Sequence, residues 1–274
     1  MITAGFYQFH PKFGQIKKNL GRVISALSSV TADVIVLPEL PFTGYLFKDR
    51  DETFELAEDL QNSPTIERLS KLCHERDFYL VTGFAEKSRN KVYNSALLIG
   101  PEGLLHTYHK LHLFNTEKAC FDPGNLPLKV VEIRGIRIGM MVCFDWAFPE
   151  VARILAIQGA DVLCHPSNLV LAYCQQAMTT RCLENSVFAI TANRFGPDTR
   201  NHGEITFTGQ SQIVAPDGSV MYRSLPDRED LFITTIDIEK ARDKWLTHKN
   251  HVLNDRRPEF YEAICEGKNL PNHR

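Results

Sequence analysis

Gly139-Met140-Met141-Val142-Cys143-Phe144-Asp145-Trp146-Ala147-Phe148-Pro149-Glu150 carries an apolar run to a cysteine and, six residues further on, into a helix led by proline. Reading outward, Ile136–Val142 is a strand and Pro149–Gln158 a helix stopped by Gly159, the residue type that suits a helix end. A strand handed to a helix through a short turn is the building unit of α/β folds. A nucleophile on such a turn stands clear of the sheet edge. The helix N–H groups nearby favour its thiolate. Most cysteines are small buried hydrophobes, and that reading serves for Cys73, Cys164, Cys174 and Cys182. Position alone favours chemistry at Cys143 only modestly.

The same alternation runs through most of the chain. Thr3–Gln8 reads as a strand, and Ile16, Leu20, Val23, Ile24 and Leu27 share one helical face. Val34-Ile35-Val36-Leu37 has the continuous apolar character of a strand buried on both faces. Ser63-Pro64 is an N-cap followed by a first-turn proline, opening a helix to about Arg76. Phe78–Phe84 is the next strand, and Val92–Gly100 with Leu104–Lys110 forms a hairpin about Pro101-Glu102-Gly103. Asp161–Cys164 and Val187–Ala192 are strands on either side of a helix over Ala172–Asn185. Gln212–Ala215 and Val220–Arg223 form a second hairpin about Pro216-Asp217-Gly218, and Leu231–Ile236 ends the strand pattern. Alternation combined with hairpins predicts an α/β fold of mixed sheets faced by helices. No linker rich in Gly, Pro or Ser interrupts it, so residues 1–274 read as a single domain. Its core spans about 3–240. A charged extension over about 241–274 is either a docking tail between subunits or a solvated terminus.

A formal net charge of −2 over 274 residues argues against a nucleic-acid partner, since phosphate binding needs a basic surface. No stretch approaches the length of a membrane-spanning helix. Met1–Tyr7 lacks the basic start and long apolar run of a signal peptide. The seven cysteines are scattered, without a C-x-x-C pair, which points to free thiols in a reducing compartment. The cytoplasm is the expected location, with no membrane contact.

Two further segments place charge at strand ends. Val34–Leu37 runs through Pro38 into Glu39, and the hairpin strand ending at His109 delivers Lys110. Open α/β sheets bind ligands at the carboxyl ends of their strands, so strands ending in Glu, Lys and Cys converge on one cleft. Taken singly, Glu39 reads as a solvated strand cap and Lys110 as a surface charge. Taken in order, Leu37-Pro38-Glu39, Lys110-Leu111-His112-Leu113-Phe114 and Cys143-Phe144-Asp145 through Phe148-Pro149-Glu150 resemble the three signature blocks of the nitrilase, or carbon–nitrogen hydrolase, superfamily. Tyr93-Asn94-Ser95-Ala96, Phe121-Asp122-Pro123-Gly124, His165-Pro166-Ser167-Asn168 and Arg181-Cys182-Leu183-Glu184-Asn185 add to the resemblance, which covers roughly residues 3 to 240.

The resemblance implies a four-layer αββα sandwich and a Glu-Lys-Cys triad. It also implies a homodimer or higher homo-oligomer, paired through helices at Pro149–Gln158 and Ala172–Asn185; composition and periodicity show none of that pairing. Cys143 is then the nucleophile that forms a thioester, Glu39 the general base, and Lys110 the oxyanion partner beside the Phe144 N–H. A carboxylate suits the base role only if a dry pocket or a second acid raises its pKa. Glu117-Lys118-Ala119-Cys120-Phe121-Asp122-Pro123-Gly124 resembles a segment of the N-carbamoyl amino acid hydrolase branch, which makes Glu117 a candidate second acid rather than a surface glutamate. Asn168 is a candidate substrate contact. Tyr45 and Trp146 either line the entrance or pack the core. Arg181, Glu184 and Asn185 read as braces for helices or dimer.

His106, His109 and His112 recur every third residue, but a strand ending near them cannot turn all three to one face, so no metal and no cofactor is expected. The leading expectation is hydrolysis of a small linear amide or N-carbamoyl compound, with nitrile hydrolysis the rival within the family. A silent scaffold, or a subunit feeding ammonia to another enzyme, is the alternative of another class. A thiol redox protein needs a resolving cysteine, and none sits close to Cys143 in sequence.

Overall fold

Side-chain alternation along the strands divides the core of the computed structural model, which describes residues 1–266. The amino-terminal half contributes β1 (Ile2–Gln8), α1 (Ile16–Leu27), β2 (Val34–Val36), α2 (Arg50–Leu56), α3 (Pro64–Arg76), β3 (Tyr79–Ser88), β4 (Lys91–Gly100) and β5 (Gly103–His109). After α4 (Glu117–Cys120) come β6 (Val130–Ile133), β7 (Ile136–Met140), α5 (Pro149–Ile157), β8 (Val162–Ser167), α6 (Cys174–Asn185) and β9 (Phe188–Asn193). Then follow β10 (Phe195–Arg200), β11 (Gly203–Thr208), β12 (Gln212–Val214), β13 (Val220–Arg223) and β14 (Asp230–Ile236).

Two six-stranded sheets result, ordered β14-β1-β2-β3-β4-β5 and β13-β12-β9-β8-β7-β6. Each is mixed: β1, β2 and β3 are parallel in one, β7, β8 and β9 in the other, with antiparallel partners outside them. Ala4, Phe6, Val34 and Val36 pack in one cluster with Ile138, Met140, Val162 and Ile190, which is the seam between the sheets. The alternate residues Tyr7, Ile35 and Leu37 pack instead with Leu20, Val23, Leu69 and Leu72 of α1 and α3. Val151 and Leu155 of α5 and Met178 and Cys182 of α6 cover the far face of the second sheet. The layers are therefore α–β–β–α. Each fully buried Leu, Ile or Val adds roughly 1.5–3 kcal/mol, so period-2 strands between period-3.6 helices account for the stacking.

Local signals set the boundaries. Ser63 accepts a hydrogen bond from the Ile66 N–H at 3.0 Å, Pro64 opens α3, and Asp77 ends it in the left-handed region at φ 54°. β3 and β8 run past their expected ends to Ser88 and Ser167, while β2 and β7 stop earlier, at Val36 and Met140. The β10–β11 hairpin was not expected, because Gly196 and Pro197 break the apolar alternation. The carboxy-terminal extension has local structure of its own: Trp245–Thr247 pairs with Asn250–His251, and helical turns follow at Pro258–Phe260 and Glu262–Cys265. The rest of the expected extension lies outside the described residues. No helix among the described residues is long and apolar enough to cross a membrane.

β2, β5, β7 and β8 deliver their carboxyl ends to one edge of the sandwich. The Glu39 N–H meets the Ser167 carbonyl across the gap between sheets, at 3.4 Å.

Candidate active site

At that edge Lys110 sits with its ammonium fully buried between two carboxylates. Its Nζ donates to Glu39 Oε1 at 2.7 Å and to Glu117 Oε1 at 2.8 Å. Asn94, on β4 beside Lys110, donates from Nδ2 to Glu39 Oε1 at 2.6 Å. The Tyr45 hydroxyl donates to Glu117 Oε1 at 2.6 Å, and the Phe114 N–H to Glu117 Oε2 at 3.0 Å. Glu117 is thus part of a buried cluster rather than a surface glutamate. Tyr45 is buried and bound to Glu117, not at an entrance. Glu39 Oε2 and Asn94 Oδ1 are buried without a protein partner among the described residues. Buried polar atoms are ordinarily paired, so these two acceptors stand open to a hydrogen bond from a bound molecule.

Cys143 follows β7 with φ 41°, a left-handed conformation uncommon outside glycine. A tight 3-10 turn starts at the cysteine itself and runs to Ala147, ahead of the expected helix, which begins at Pro149 as α5. Two contacts hold the turn. His165 Nε2 lies 2.9 Å from the Cys143 carbonyl. Asp145 is buried and accepts from the Val142 N–H at 2.9 Å and the Tyr108 hydroxyl at 2.8 Å, with His112 Nδ1 at 2.8 Å. Asp145 therefore ties the end of β5, which carries Lys110, to the turn that carries Cys143.

The protonation pattern follows from burial. The Glu39 carboxyl is pushed up by desolvation, against the pull of Lys110 and with a further push from Glu117. Lys110 loses hydration too, but Glu117 and Glu39 outweigh that and hold it charged. The Cys143 thiol is pushed well up, by burial first and then by Glu39; Lys110 and the backbone N–H of Asn168 only partly oppose this. The nearby helix N–H groups do not yield the resting thiolate that the sequence suggested, because desolvation and two carboxylates oppose it. The cysteine rests as a thiol beside a base of raised affinity for its proton. Burial brings His165 down to about 4, so it is a neutral donor at Nε2.

Phe144, Trp146 and Asn168 line a cavity with Cys143. Both polar atoms of the Asn168 side chain are buried and unpartnered among the described residues. Arg181 donates to the Trp146 carbonyl at 3.3 Å and pairs with Glu184, and Asn185 donates to the Arg181 carbonyl, all as braces. His109 stacks on Tyr93 and bonds Glu86 and Asn125, while His112 stacks on Phe148. Among the described residues no group of three His, Cys, Asp or Glu side chains is set to hold a metal ion. Sequence reasoning missed Asn94, Asp145 and Tyr108. Asn94 and Asp145 each sat in a quoted motif; Tyr108 has no signal beyond its place two residues before Lys110.

Residues 3–244 match the carbon–nitrogen hydrolase family. The chain is 38% identical over 264 residues to a protein of Pyrococcus abyssi named nitrilase, with 95% of this chain and 99% of that protein covered. It is 31% identical over 264 residues to the N-carbamoylputrescine amidase of Solanum lycopersicum, covering 89% and 87% respectively. The crystal structure of a carbon–nitrogen hydrolase from Helicobacter pylori G27 superposes with a TM-score of 0.86 at 25% identity, over 96% of this chain and 97% of that one. With the signature blocks meeting at one sheet edge and the family match spanning nearly all of the sandwich, this chain belongs to the carbon–nitrogen hydrolase family of the nitrilase superfamily.

Proposed function

We propose that the chain hydrolyses the non-peptide C–N bond of a small linear amide or N-carbamoyl compound through a Cys143 thioester, releasing ammonia. The observation that carries this reading is the buried Lys110 ammonium shared by Glu39 and Glu117, with the strained Cys143 turn in its field. Glu39 takes the thiol proton as sulfur attacks the carbonyl carbon; its unpartnered Oε2 supports that role. Lys110 and the Phe144 N–H face the oxyanion. Phe144 is second in its turn, where an N–H has no acceptor within the helix. Losing one such donor elsewhere costs about 2.7–4 kcal/mol. The C–N bond breaks as Glu39 returns the proton to nitrogen, and ammonia leaves. Water, deprotonated by Glu39, then attacks the thioester; the acid departs and Cys143 regains its proton. Glu117 holds Lys110 and raises the proton affinity of Glu39.

Nitrile hydrolysis is the second reading, favoured by the similarity to the Pyrococcus abyssi nitrilase. Two copies are proposed to pair through α5 and α6. The free cysteines support a reducing compartment, read as the cytoplasm. Ammonia release from N-carbamoyl amino acids, ω-amides and aliphatic nitriles, with Cys143→Ala alongside, tests the proposal. Release from amides or carbamoyl compounds, abolished in the variant, is expected. Release from nitriles alone would replace the first reading with the second, and activity surviving in Cys143→Ala would sink the nucleophile assignment.

A further inference from the structure

The cavity beside Cys143 has a volume of about 10 Å³, the room that one water molecule needs. Phe114, Phe144 and Leu169 give it apolar walls, and Leu171 at its rim is 37% exposed, so solvent reaches it from that side. Asn168 is the amide in the wall. The residue is 2% exposed, and among the described residues neither its Oδ1 nor its Nδ2 has a protein partner. The chain around Asn168 touches both reacting groups. The Ser167 carbonyl accepts from the Glu39 N–H at 3.4 Å, and the Asn168 N–H faces the Cys143 sulfur. Leu169 donates its N–H to Asn193 Oδ1 at 2.9 Å, and Asn193 Nδ2 donates to the Gly209 carbonyl at 2.6 Å. Asn168 is therefore held on a pinned loop between base and nucleophile.

We infer that Asn168 is a catalytic residue of the second half-reaction, holding the water that hydrolyses the Cys143 thioester. This rests on the reading of Cys143 as a nucleophile that forms a thioester. A buried water needs about two to four polar partners, and it both donates and accepts, as the amide does. Asn168 Oδ1 accepts from one O–H of the water. Glu39, whose Oε2 is also unpartnered, takes the proton of the other as the water oxygen attacks the thioester carbonyl carbon. The C–S bond then breaks, the proton passes from Glu39 to the sulfur, and the acid leaves. A neutral amide does not compete with Glu39 for that proton, so its contribution is orientation. A water left to bulk solvent is rarely at the attack distance of about 3–3.5 Å and in line with the carbonyl.

p-Nitrophenyl acetate tests this, because an ester acylates the thiol without an amide N–H. With enzyme in excess, p-nitrophenol release reads acylation, and loss of the acetyl adduct from Cys143, followed by mass spectrometry, reads deacylation. Cys143→Ala identifies the adduct that belongs to the nucleophile. Asn168→Leu keeps the size of the side chain and removes both polar atoms; Asn168→Ala serves if leucine does not fold. Acylation is expected at the wild-type rate, while deacylation falls about 100-fold and the adduct accumulates. Hydroxylamine, a stronger nucleophile than water, is expected to speed loss of the adduct by a larger factor in the variant than in the wild type. Acylation slowed as much as deacylation overturns the inference, because Asn168 would then serve both steps alike. Absence of a Cys143 adduct from every protein breaks the thioester reading itself. An adduct that wild type and variant clear at the same rate breaks this inference alone.

Discussion

His165 uses both ring nitrogens inside the protein, with Nδ1 3.1 Å from the Thr191 hydroxyl and Nε2 2.9 Å from the Cys143 carbonyl. The second contact ties the strained nucleophile turn to β8. Burial holds the ring down to about 4, against 6.5 for an ordinary histidine. A depressed folded-state value means that the unfolded chain takes up the proton first on acidification. The stability contributed by neutral His165 is therefore complete above pH 6.5 and is lost as pH falls toward 4, by on the order of 3 kcal/mol. Glu39 acts with the opposite sign, since its raised value favours the folded state as pH falls. Comparison with His165→Gln isolates the histidine. Urea unfolding at pH 7 and pH 4.5 is expected to show a smaller acid loss in the variant; equal losses would mean that the ring does not stay neutral in the fold. This role was hidden in the sequence, where His165 was one letter of a supporting motif. Glu39, Lys110 and Cys143 were readable because each ends an apolar strand. Links such as Tyr45 to Glu117 were not, because chain separation carries no distance.

Two glycines show how elements seat the charged groups. A Cβ on Gly83 of β3 would lie 2.4 Å from the Leu40 nitrogen and 2.5 Å from the Glu39 Cα. One on Gly124 would lie 2.4 Å from the His109 carbonyl oxygen and 2.7 Å from that of Lys110. The chain leaving β2 and the chain leaving β5 each rest against a residue with no side chain, which lets Glu39 and Lys110 reach one another. Gly83→Ala and Gly124→Ala should each displace a reacting group by a fraction of an ångström or more, and misplacement near 1 Å can cost about 100-fold in rate. Both variants are expected to fold and to lose at least about tenfold in kcat. Gly21, within α1 and with open space at its Cβ position, is the control: Gly21→Ala should keep full activity and gain roughly 0.5–1 kcal/mol in urea stability. Full activity in both Gly83→Ala and Gly124→Ala would show that the backbone yields at these contacts without moving the site. Strand and helix existence was readable at this scale from periodicity and caps, as at Ser63-Pro64. The 3-10 turn at Cys143 was not, because a five-residue turn has too few positions to show a period.

For the whole molecule, the outer faces of α5 and α6 are among the surfaces where large apolar side chains meet solvent, with Trp245, Leu246, Phe260 and Ile264 of the carboxy-terminal extension. Ile154 and Ile157 of α5 are 41% and 48% exposed, and Leu183 of α6 is 49% exposed, while Val151, Leu155, Met178 and Cys182 are buried against the sheet. Scattered exposed leucines need no explanation, but large aliphatics on the outward sides of two adjacent helices suit an interface, where apolar anchors exclude water. Both helices also touch the site. α5 begins two residues after the turn that holds Cys143, and α6 begins six residues after Asn168, which lines the cavity beside the cysteine. If two copies pair across these helices, as the proposed function includes, pairing braces the nucleophile turn through both of them. Light scattering should then give a mass about twice the 31.2 kDa of one chain. Ile154→Glu with Ile157→Glu should reduce it to one, since two buried unpaired carboxylates per copy are too costly for an interface to keep. Activity per chain should fall with the dimer fraction as the variant is diluted. A double variant that stays dimeric would move the interface elsewhere. A monomeric variant with full activity would show that each sandwich holds its own site without help.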